Sequence, residues 1–205
     1  EGGAPQGRRR TAMDKLQKLV PGTLAGQSRR VSTIGANYGQ NRAWLKDCDL
    51  VIEAIAERLD WKRDLYAKIA PFSGKNAVLA SNTSGLSINA LADILDVNLH
   101  HRFCGVHFFN PPRYMHLVEL IPCAKTDAAV LEGLEAFLTT SLGKGVVYAR
   151  DTPNFIGNRI GVFSMLATVH HTSQFKPSFE GVAARTGPPT GRPEGKNRGA
   201  PPGVP

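Results

Sequence analysis

Residues 79–122 read LASNTSGLSINALADILDVNLHHRFCGVHFFNPPRYMHLVELIP, and three features of this stretch belong together in one site. Residues 80–84 end an apolar run in a cluster of small hydrogen-bonding side chains. His107 stands in an apolar segment that stops at a proline, and Glu119 stands in the middle of another apolar run. A buried carboxylate is costly unless it is paired. Histidine is the partner suited to proton chemistry near neutral pH.

His107 and Glu119 could act as a proton-transfer pair on adjacent strands. A neutral imidazole can accept a proton from an alcohol, and a carboxylate on its other nitrogen fixes the tautomer and stabilises the imidazolium. The spacing alone favours the alternative, a core histidine and an exposed strand glutamate, over such a pair. Ser84 and Asn158 are neutral donors that could hold a substrate oxygen, or else a helix cap and a surface polar group.

Outward from this stretch, short apolar runs alternate with helical spacing. The predicted strands cover residues 50–55, 77–81, 103–109, 117–121 and 146–149. The predicted helices cover residues 61–70, 87–95, 126–142 and 152–170, with residues 126–127 capping the third and Thr152 capping the fourth ahead of Pro153. This alternation predicts an α/β fold with a mostly parallel sheet between flanking helices. In such sheets ligands bind at the carboxyl ends of strands, where Ser84, His107 and Asn110 fall.

Composition argues against several classes of protein. The chain has 205 residues and a net charge of +8, but many basic residues lie in its polar ends. No basic-aromatic platform accompanies them, so we expect no nucleic-acid partner. No apolar run approaches the ~20 residues of a membrane span, so we expect no membrane partner. Three cysteines without C-x-x-C spacing argue against a disulfide framework and a zinc site, and they fit a reducing cytoplasmic setting.

A set of sequence blocks then points to one family. The blocks are AIAERLDWKR at 54–63, SNTS at 81–84, HFFNPP at 107–112, LVELI at 117–121 and DTPNFIGNR at 151–159. In this order they closely resemble the NAD-dependent 3-hydroxyacyl-CoA dehydrogenases of fatty-acid β-oxidation. The resemblance is firm over about residues 45–172 and weaker back to Lys15 and forward to Pro193. It implies oxidation of a 3-hydroxyacyl-CoA to a 3-oxoacyl-CoA with NAD as cofactor.

The resemblance also implies roles for individual residues. The implied catalytic residues are His107, Glu119, Ser84 and Asn158. The histidine is the general base, the glutamate orients it, and the serine and asparagine contact the substrate oxygen. The implied cofactor contacts are Glu57, Lys62, Ser84 and Asn110, although by position Glu57 and Lys62 could equally be a solvated pair. No metal is implied.

Two parts of the family pattern are not recognisable in the sequence. They are the first βαβ unit with its G-x-G-x-x-G loop, and most of the helical C-terminal domain. We therefore expect a Rossmann-like domain truncated at both ends. Its expected parts are a disordered segment 1–14, a partial NAD-binding domain 15–151, the first C-terminal helix 152–172 and a mostly disordered tail 173–205.

The missing glycine loop bears on activity. That loop supplies the backbone N–H groups that hold pyrophosphate, so we expect weak NAD binding and doubtful activity for the chain alone. The alternative is a non-catalytic binding or structural protein that keeps the fold. We expect the parent enzyme to bind an acyl-CoA, and to be a homo-oligomer or part of a multifunctional β-oxidation chain.

Overall fold

The structure, a computed structural model, describes residue 36 and residues 39–175, with the side chains of 173–175 excepted. The predictions for residues 1–14 and for the tail after 175 lie outside the described residues. So do most of the residues on either side of the firm family resemblance at 45–172.

The described elements follow the predicted alternation closely. The strands are β1 (Leu50–Glu53), β2 (Val78–Ser81), β3 (Phe103–Phe108), β4 (Leu117–Pro122) and β5 (Gly145–Tyr148). The helices are α1 (Leu59–Ile69), α2 (Ile88–Ala92), α3 (Ala128–Thr140) and α4 (Gly157–Phe175). Three short 3-10 helices, at Arg42–Asp47, Ala70–Phe72 and Val97–Arg102, precede β1, follow α1 and precede β3.

The five strands form one sheet in the order β1-β2-β3-β4-β5. The pairs β1/β2, β2/β3 and β4/β5 are parallel, which confirms the predicted mostly parallel, Rossmann-like sheet. The pair β3/β4 is antiparallel. A parallel crossover needs a connection of about a dozen residues or more, and the link from Phe108 to Leu117 is shorter, so β4 must run back beside β3.

The core lies on both faces of the sheet. One cluster packs α1 and α2 against the sheet, and it includes Tyr66, Leu79, Ile88, Leu91 and Phe103. The other packs α3 against the opposite face, and it includes Ala80, Cys104, Val106, Leu120 and Leu134. Leu79 and Ala80 are neighbours in β2 and point to opposite faces, as the two-residue period of a strand requires. Cys104 is completely buried in this core, and burial raises the pKa of its thiol to about 12.

The predicted start of the last helix is wrong. Thr152 was expected as its N-cap, but α4 begins at Gly157. The intervening residues form a turn in which Asn154 (φ 61°) and Phe155 (φ 46°) are left-handed. A residue with positive φ cannot continue a right-handed helix. The helix therefore begins only after this turn.

The side-chain cap predicted for α3 is also absent. Asp127 occupies the N-cap position without a side-chain hydrogen bond. The hydroxyl of Thr126 instead donates to the carbonyl of Phe103 (2.6 Å) and accepts from the amide of Cys123 (2.8 Å). The predicted end of α3 near Gly143 is confirmed, because this glycine is left-handed (φ 65°) and its amide donates to the carbonyl of Thr139.

The chain divides into two compact units, with the boundary between Arg159 and Ile160. The sheet and the site described below belong to the first unit. No helix within the described part of the chain combines the length and the hydropathy needed to cross a bilayer.

Candidate active site

His107 and Glu119 lie directly opposite each other on β3 and β4. Nδ1 of the imidazole is 2.7 Å from Oε2 of the carboxylate, and both side chains are almost completely buried. We call this pair the dyad. The antiparallel register places the two residues on the same face of the sheet, so neighbouring strands bring them into contact. The alternative of an exposed strand glutamate is therefore wrong.

The second oxygen of Glu119 is bound by backbone. Oε1 accepts hydrogen bonds from the amides of Ile156 (2.9 Å) and Gly157 (2.7 Å), where α4 begins. The first amides of a helix have no partner within it and carry partial positive charge. They meet the buried negative charge, so both oxygens of the carboxylate are held.

Two aromatic rings pack beside the imidazole of His107. The ring centroid of Phe109 is 4.6 Å away and that of Phe155 is 5.6 Å away. With Nδ1 engaged by Glu119, Nε2 is the nitrogen that can face a substrate. If Nδ1 carries the proton that it shares with the carboxylate, Nε2 has a free lone pair and can act as a base.

Ser84 is exposed in the loop that follows β2, and Glu57 organises this loop. Oε1 of Glu57 accepts from the hydroxyl of Thr83 and from the amides of Ser84 (2.9 Å) and Gly85 (2.9 Å). Partial burial, the largest single influence, acts to raise the pKa of Glu57. The hydrogen bonds from Thr83, Gly85 and Ser84, with the nearby charge of Lys62, outweigh it and leave the pKa below its ordinary value.

Two asparagines connect the strand ends. Oδ1 of Asn82 accepts from the amide of Phe108 (2.8 Å), which joins the carboxyl ends of β2 and β3 next to His107. Nδ2 of Asn158 donates to the backbone carbonyl of Ser84, with a long separation of 3.4 Å. The structure thus brings the four predicted catalytic residues to the end of the sheet at which β2 and β3 finish. Their individual roles stay predictions.

Lys62 is completely buried, and its main partner is Glu53, a residue at the end of β1. Nζ donates to both carboxylate oxygens of Glu53, at 2.8 and 2.7 Å, and lies 3.8 Å from Oε2 of Glu57. The alternative of a solvated pair of Glu57 and Lys62 is therefore wrong. Glu53 also accepts from the hydroxyls of Ser81 (2.8 Å) and Tyr66 (3.2 Å). We call these four buried side chains, Glu53, Lys62, Tyr66 and Ser81, the Glu53 cluster.

The predicted cofactor contacts divide into two groups. Glu57, Ser84 and Asn110 are exposed and follow the carboxyl ends of β1, β2 and β3, which is where a parallel sheet binds a dinucleotide. Carboxylate, hydroxyl and amide groups can all hydrogen-bond to a dinucleotide, and the contacts of these three residues with NAD stay a prediction. Lys62 lies beneath that surface with its ammonium engaged by Glu53, so its cofactor role stays a prediction.

Sequence reasoning missed Glu53, although a signal was present. This residue interrupts the apolar run LVIEAI as Glu119 interrupts LVELI. The principle that a buried carboxylate needs a partner would have selected both.

Asp151 was also missed as a site-building residue. Its carboxylate accepts from the hydroxyl of Ser87 (2.7 Å) and from the amides of Ile88 (2.9 Å) and Asn89 (2.9 Å), where α2 begins.

The fold and the site together define a class of protein. It is a Rossmann-like α/β domain with a histidine–glutamate pair at the carboxyl end of its parallel strands. The profile of the 3-hydroxyacyl-CoA dehydrogenase NAD-binding domain matches residues 6–152. The chain belongs to the 3-hydroxyacyl-CoA dehydrogenase family. The match begins before Lys15, so the family likeness extends further towards the N-terminus than the sequence blocks predict.

Known proteins agree with this assignment. A relative in Deinococcus radiodurans, named a probable 3-hydroxyacyl-CoA dehydrogenase, is 38% identical over 184 residues, covering 89% of this chain and 53% of its own length. A relative in Rickettsia felis, named a fatty acid oxidation complex trifunctional enzyme, is 44% identical over 155 residues, covering 75% of this chain and 21% of its own. The chain thus spans about half the length of the first relative and about a fifth of the second.

A solved structure shows the same fold. The (S)-3-hydroxybutyryl-CoA dehydrogenase PaaH1 of Ralstonia eutropha superposes with a TM-score of 0.72 at 30% identity. The superposition covers 88% of this chain and 63% of that one.

Proposed function

We propose that this chain forms the cofactor-binding and proton-transfer part of an enzyme that oxidises a 3-hydroxyacyl-CoA to a 3-oxoacyl-CoA with NAD. The observation that carries the proposal is the buried hydrogen bond of 2.7 Å between His107 and Glu119. Family membership supports the choice of substrate and cofactor. The dyad itself supports only the chemistry of removing a proton from a hydroxyl group.

In the proposed reaction, Nε2 of His107 takes the proton of the substrate's C3 hydroxyl. The electron pair of the broken O–H bond forms the C=O bond of the product, while the C3–H bond breaks and its electron pair leaves as hydride. NAD supplies the acceptor of that hydride when it is bound. Glu119 holds the imidazole by Nδ1 and offsets the positive charge that develops on the ring.

The neutral groups around the dyad have a different task in this proposal. Ser84 and Asn158 are neighbours, because Nδ2 of Asn158 donates to the backbone carbonyl of Ser84. Hydrogen bonds from such groups to the substrate oxygen orient its hydroxyl towards Nε2 of His107. Glu57 serves this step indirectly, because its carboxylate holds the loop that carries Ser84.

On the cofactor side, Glu57 and Asn110 are the exposed polar residues proposed to contact NAD, with Ser84 between them. Lys62 is proposed to act through its charge, 3.8 Å from the carboxylate of Glu57. An acyl-CoA is the proposed substrate. For the whole enzyme we propose a cytoplasmic location, and either a homo-oligomer or a place in a multifunctional β-oxidation chain.

The test is NADH oxidation that depends on acetoacetyl-CoA, the reverse of the proposed reaction, measured on the purified chain. A His107→Gln variant should lower the rate by about 10²–10⁴-fold, the usual contribution of a general base. The matched control is His101→Gln, because His101 is exposed and lies outside the dyad. This control should keep the rate of the unsubstituted chain.

Two results would contradict the proposal. One is a rate that both variants retain, which would place the chemistry elsewhere. The other is a chain that is folded by circular dichroism, binds NADH and acetoacetyl-CoA, and still shows no turnover. That second result would favour the alternative of a binding protein that keeps the fold.

A further inference from the structure

The turn before α4 has an unusual backbone. Asn154 and Phe155 are consecutive and both left-handed, with φ of 61° and 46°. They are the two non-glycine residues with positive φ in the part of the chain that the structure describes. Asparagine tolerates this conformation well, whereas a bulky residue such as phenylalanine adopts it rarely. Such a conformation persists only where surrounding structure holds it.

What surrounds the turn is the dyad. Phe155 is almost completely buried and its ring lies beside the imidazole of His107. The next two amides, of Ile156 and Gly157, both point at Oε1 of Glu119. In a right-handed helix that continued from Thr152, these amides would instead donate to the carbonyls of Thr152 and Pro153, four residues back. The two left-handed residues are therefore what turns the N–H groups onto the carboxylate.

Gly157 shows how close this approach is. A Cβ atom built at this position would lie 2.5 Å from Cζ of Phe109, whose ring also packs beside His107. Glycine allows this approach without any shift of the ring, whereas a residue with a Cβ would displace it. The backbone at Gly157 and the ring of Phe109 are therefore closely packed beside the dyad.

We infer that Asn154 is a positioning residue for the dyad. Its left-handed backbone lets the amides of Ile156 and Gly157 hold one oxygen of Glu119, so that the other oxygen stays aligned on Nδ1 of His107. Asn154 acts through Glu119 and does not touch the reacting atoms. The inference rests on the proposed function for its catalytic meaning, but its geometry can be tested without turnover.

The experiment compares three substitutions at this position. Asn154→Gly keeps access to positive φ and removes the side chain. Asn154→Ala disfavours positive φ, and Asn154→Val disfavours it more because its Cβ is branched. The matched control is Asn98→Val, an exposed asparagine with ordinary backbone in a 3-10 helix.

Two NMR signals report on the dyad in the full chain. One is the downfield proton of Nδ1 of His107, which is visible when its hydrogen bond to Glu119 protects it from solvent. The other is hydrogen exchange at the amides of Ile156 and Gly157. We expect Asn154→Gly and Asn98→Val to keep both signals. Asn154→Ala should speed exchange of the two amides by about tenfold and broaden the Nδ1 proton, and Asn154→Val should do so further.

A thermal unfolding curve for each variant separates a local effect from general loss of structure. If Asn154→Val does not fold, the comparison of alanine with glycine carries the test. The inference is overturned if the alanine variant keeps both signals unchanged. It is also overturned if the glycine variant loses them, since the side chain of Asn154 would then be the group that matters.

The catalytic consequence is a separate measurement. In acetoacetyl-CoA reduction, Asn154→Ala should lower kcat more than it changes KM, because the base is misaligned while substrate contacts remain. If Asn154→Ala loses the NMR signals but keeps the kcat of the unsubstituted chain, the proposed catalytic role of the dyad is refuted and the positioning role stays intact.

Discussion

Two buried glutamates lie at the same end of the sheet, and each binds a nitrogen-containing side chain. The two pairs differ in whether that side chain keeps a nitrogen for a substrate. Glu53, in β1, binds the ammonium of Lys62 and the hydroxyls of Ser81 and Tyr66. Glu119, in β4, binds the imidazole of His107 and backbone amides. Each carboxylate is almost completely buried and has partners at both oxygens.

The difference lies in what the base has left over. The ammonium of Lys62 is held by both oxygens of Glu53 in a cluster with no exposed member. An imidazole has two nitrogens, so His107 can bind Glu119 through one and present the other to a substrate. A buried carboxylate with a nitrogen-containing partner therefore forms a fixed ion pair at Glu53 and Lys62, and a pair suited to proton transfer at Glu119 and His107.

The largest effect on stability should come from breaking the fixed pair. Glu53→Ala leaves the ammonium of Lys62 buried with only Glu57 nearby, and we expect a loss of about 3–5 kcal/mol in the free energy of unfolding. Urea denaturation measures it. The double variant Glu53→Leu with Lys62→Met removes both charges and should lose less than Glu53→Leu alone. An equal or larger loss in the double variant would show that the ion pair is not what the cluster requires.

The dyad should instead respond in rate. In Glu119→Gln the amide oxygen can still accept from the backbone of Gly157, but the amide nitrogen donates to Nδ1 of His107. The proton is then forced onto Nε2, which can no longer act as a base. We expect acetoacetyl-CoA reduction to fall by about 10²–10⁴-fold, with little change in the urea midpoint. A large fall in stability with an unchanged rate would reverse the comparison.

A third carboxylate, less buried than these two, should show a smaller and pH-dependent effect. Partial burial, the largest single influence, acts to raise the pKa of Asp151, but hydrogen bonds from Asn89, Ser87 and Ile88 outweigh it and lower the pKa below its ordinary value. A lowered pKa means that the ionised form is favoured in the folded state. Its contribution is therefore fully present above the unfolded pKa near 4 and is lost as pH falls through the lower folded pKa.

Asp151→Asn should accordingly lower the free energy of unfolding by about 1–2 kcal/mol at pH 7, with solvent screening favouring the lower figure. The difference from the unsubstituted chain should shrink below about pH 4. The control is Asp127→Asn, an exposed residue whose side chain makes no cap hydrogen bond. A difference that stays constant down to pH 2 would contradict the assigned linkage.

The smallest effect should come from an exposed ion pair. Asp64 and Lys68 face each other one turn apart on α1, and their side chains are 66% and 46% exposed. Asp64→Asn should change the free energy of unfolding by less than about 0.5 kcal/mol. Urea denaturation at low and high salt provides the check. A loss comparable with that of Glu53→Ala would mean that burial does not separate these pairs.

Much of the fold could be predicted from the pattern of side chains. Apolar runs such as residues 103–109 can be satisfied only by burial in a sheet, so the five strands were located within a few residues. His107 and Glu119 could be paired because each polar group stands in an apolar strand and needs a partner.

Other features were beyond the local pattern. The sequence TP at 152–153 is a common helix start, yet contacts with Glu119, more than 30 residues earlier in the chain, select a turn instead. The role of Glu57 in holding the loop after β2 was likewise not predictable, because its partners there are 26 to 28 residues away. No short-range signal carries such contacts.

The sequence by itself determined the family, the order of strands and helices, and the residues able to carry the chemistry, because these depend on residue type and spacing. Only the tertiary structure decided the register of β3 and β4 that places Glu119 directly opposite His107. It also decided that Lys62 is buried against Glu53, and that two left-handed residues aim backbone amides at the dyad. These are contacts between residues that are distant in the sequence, and the packing of the sheet and its helices determines them.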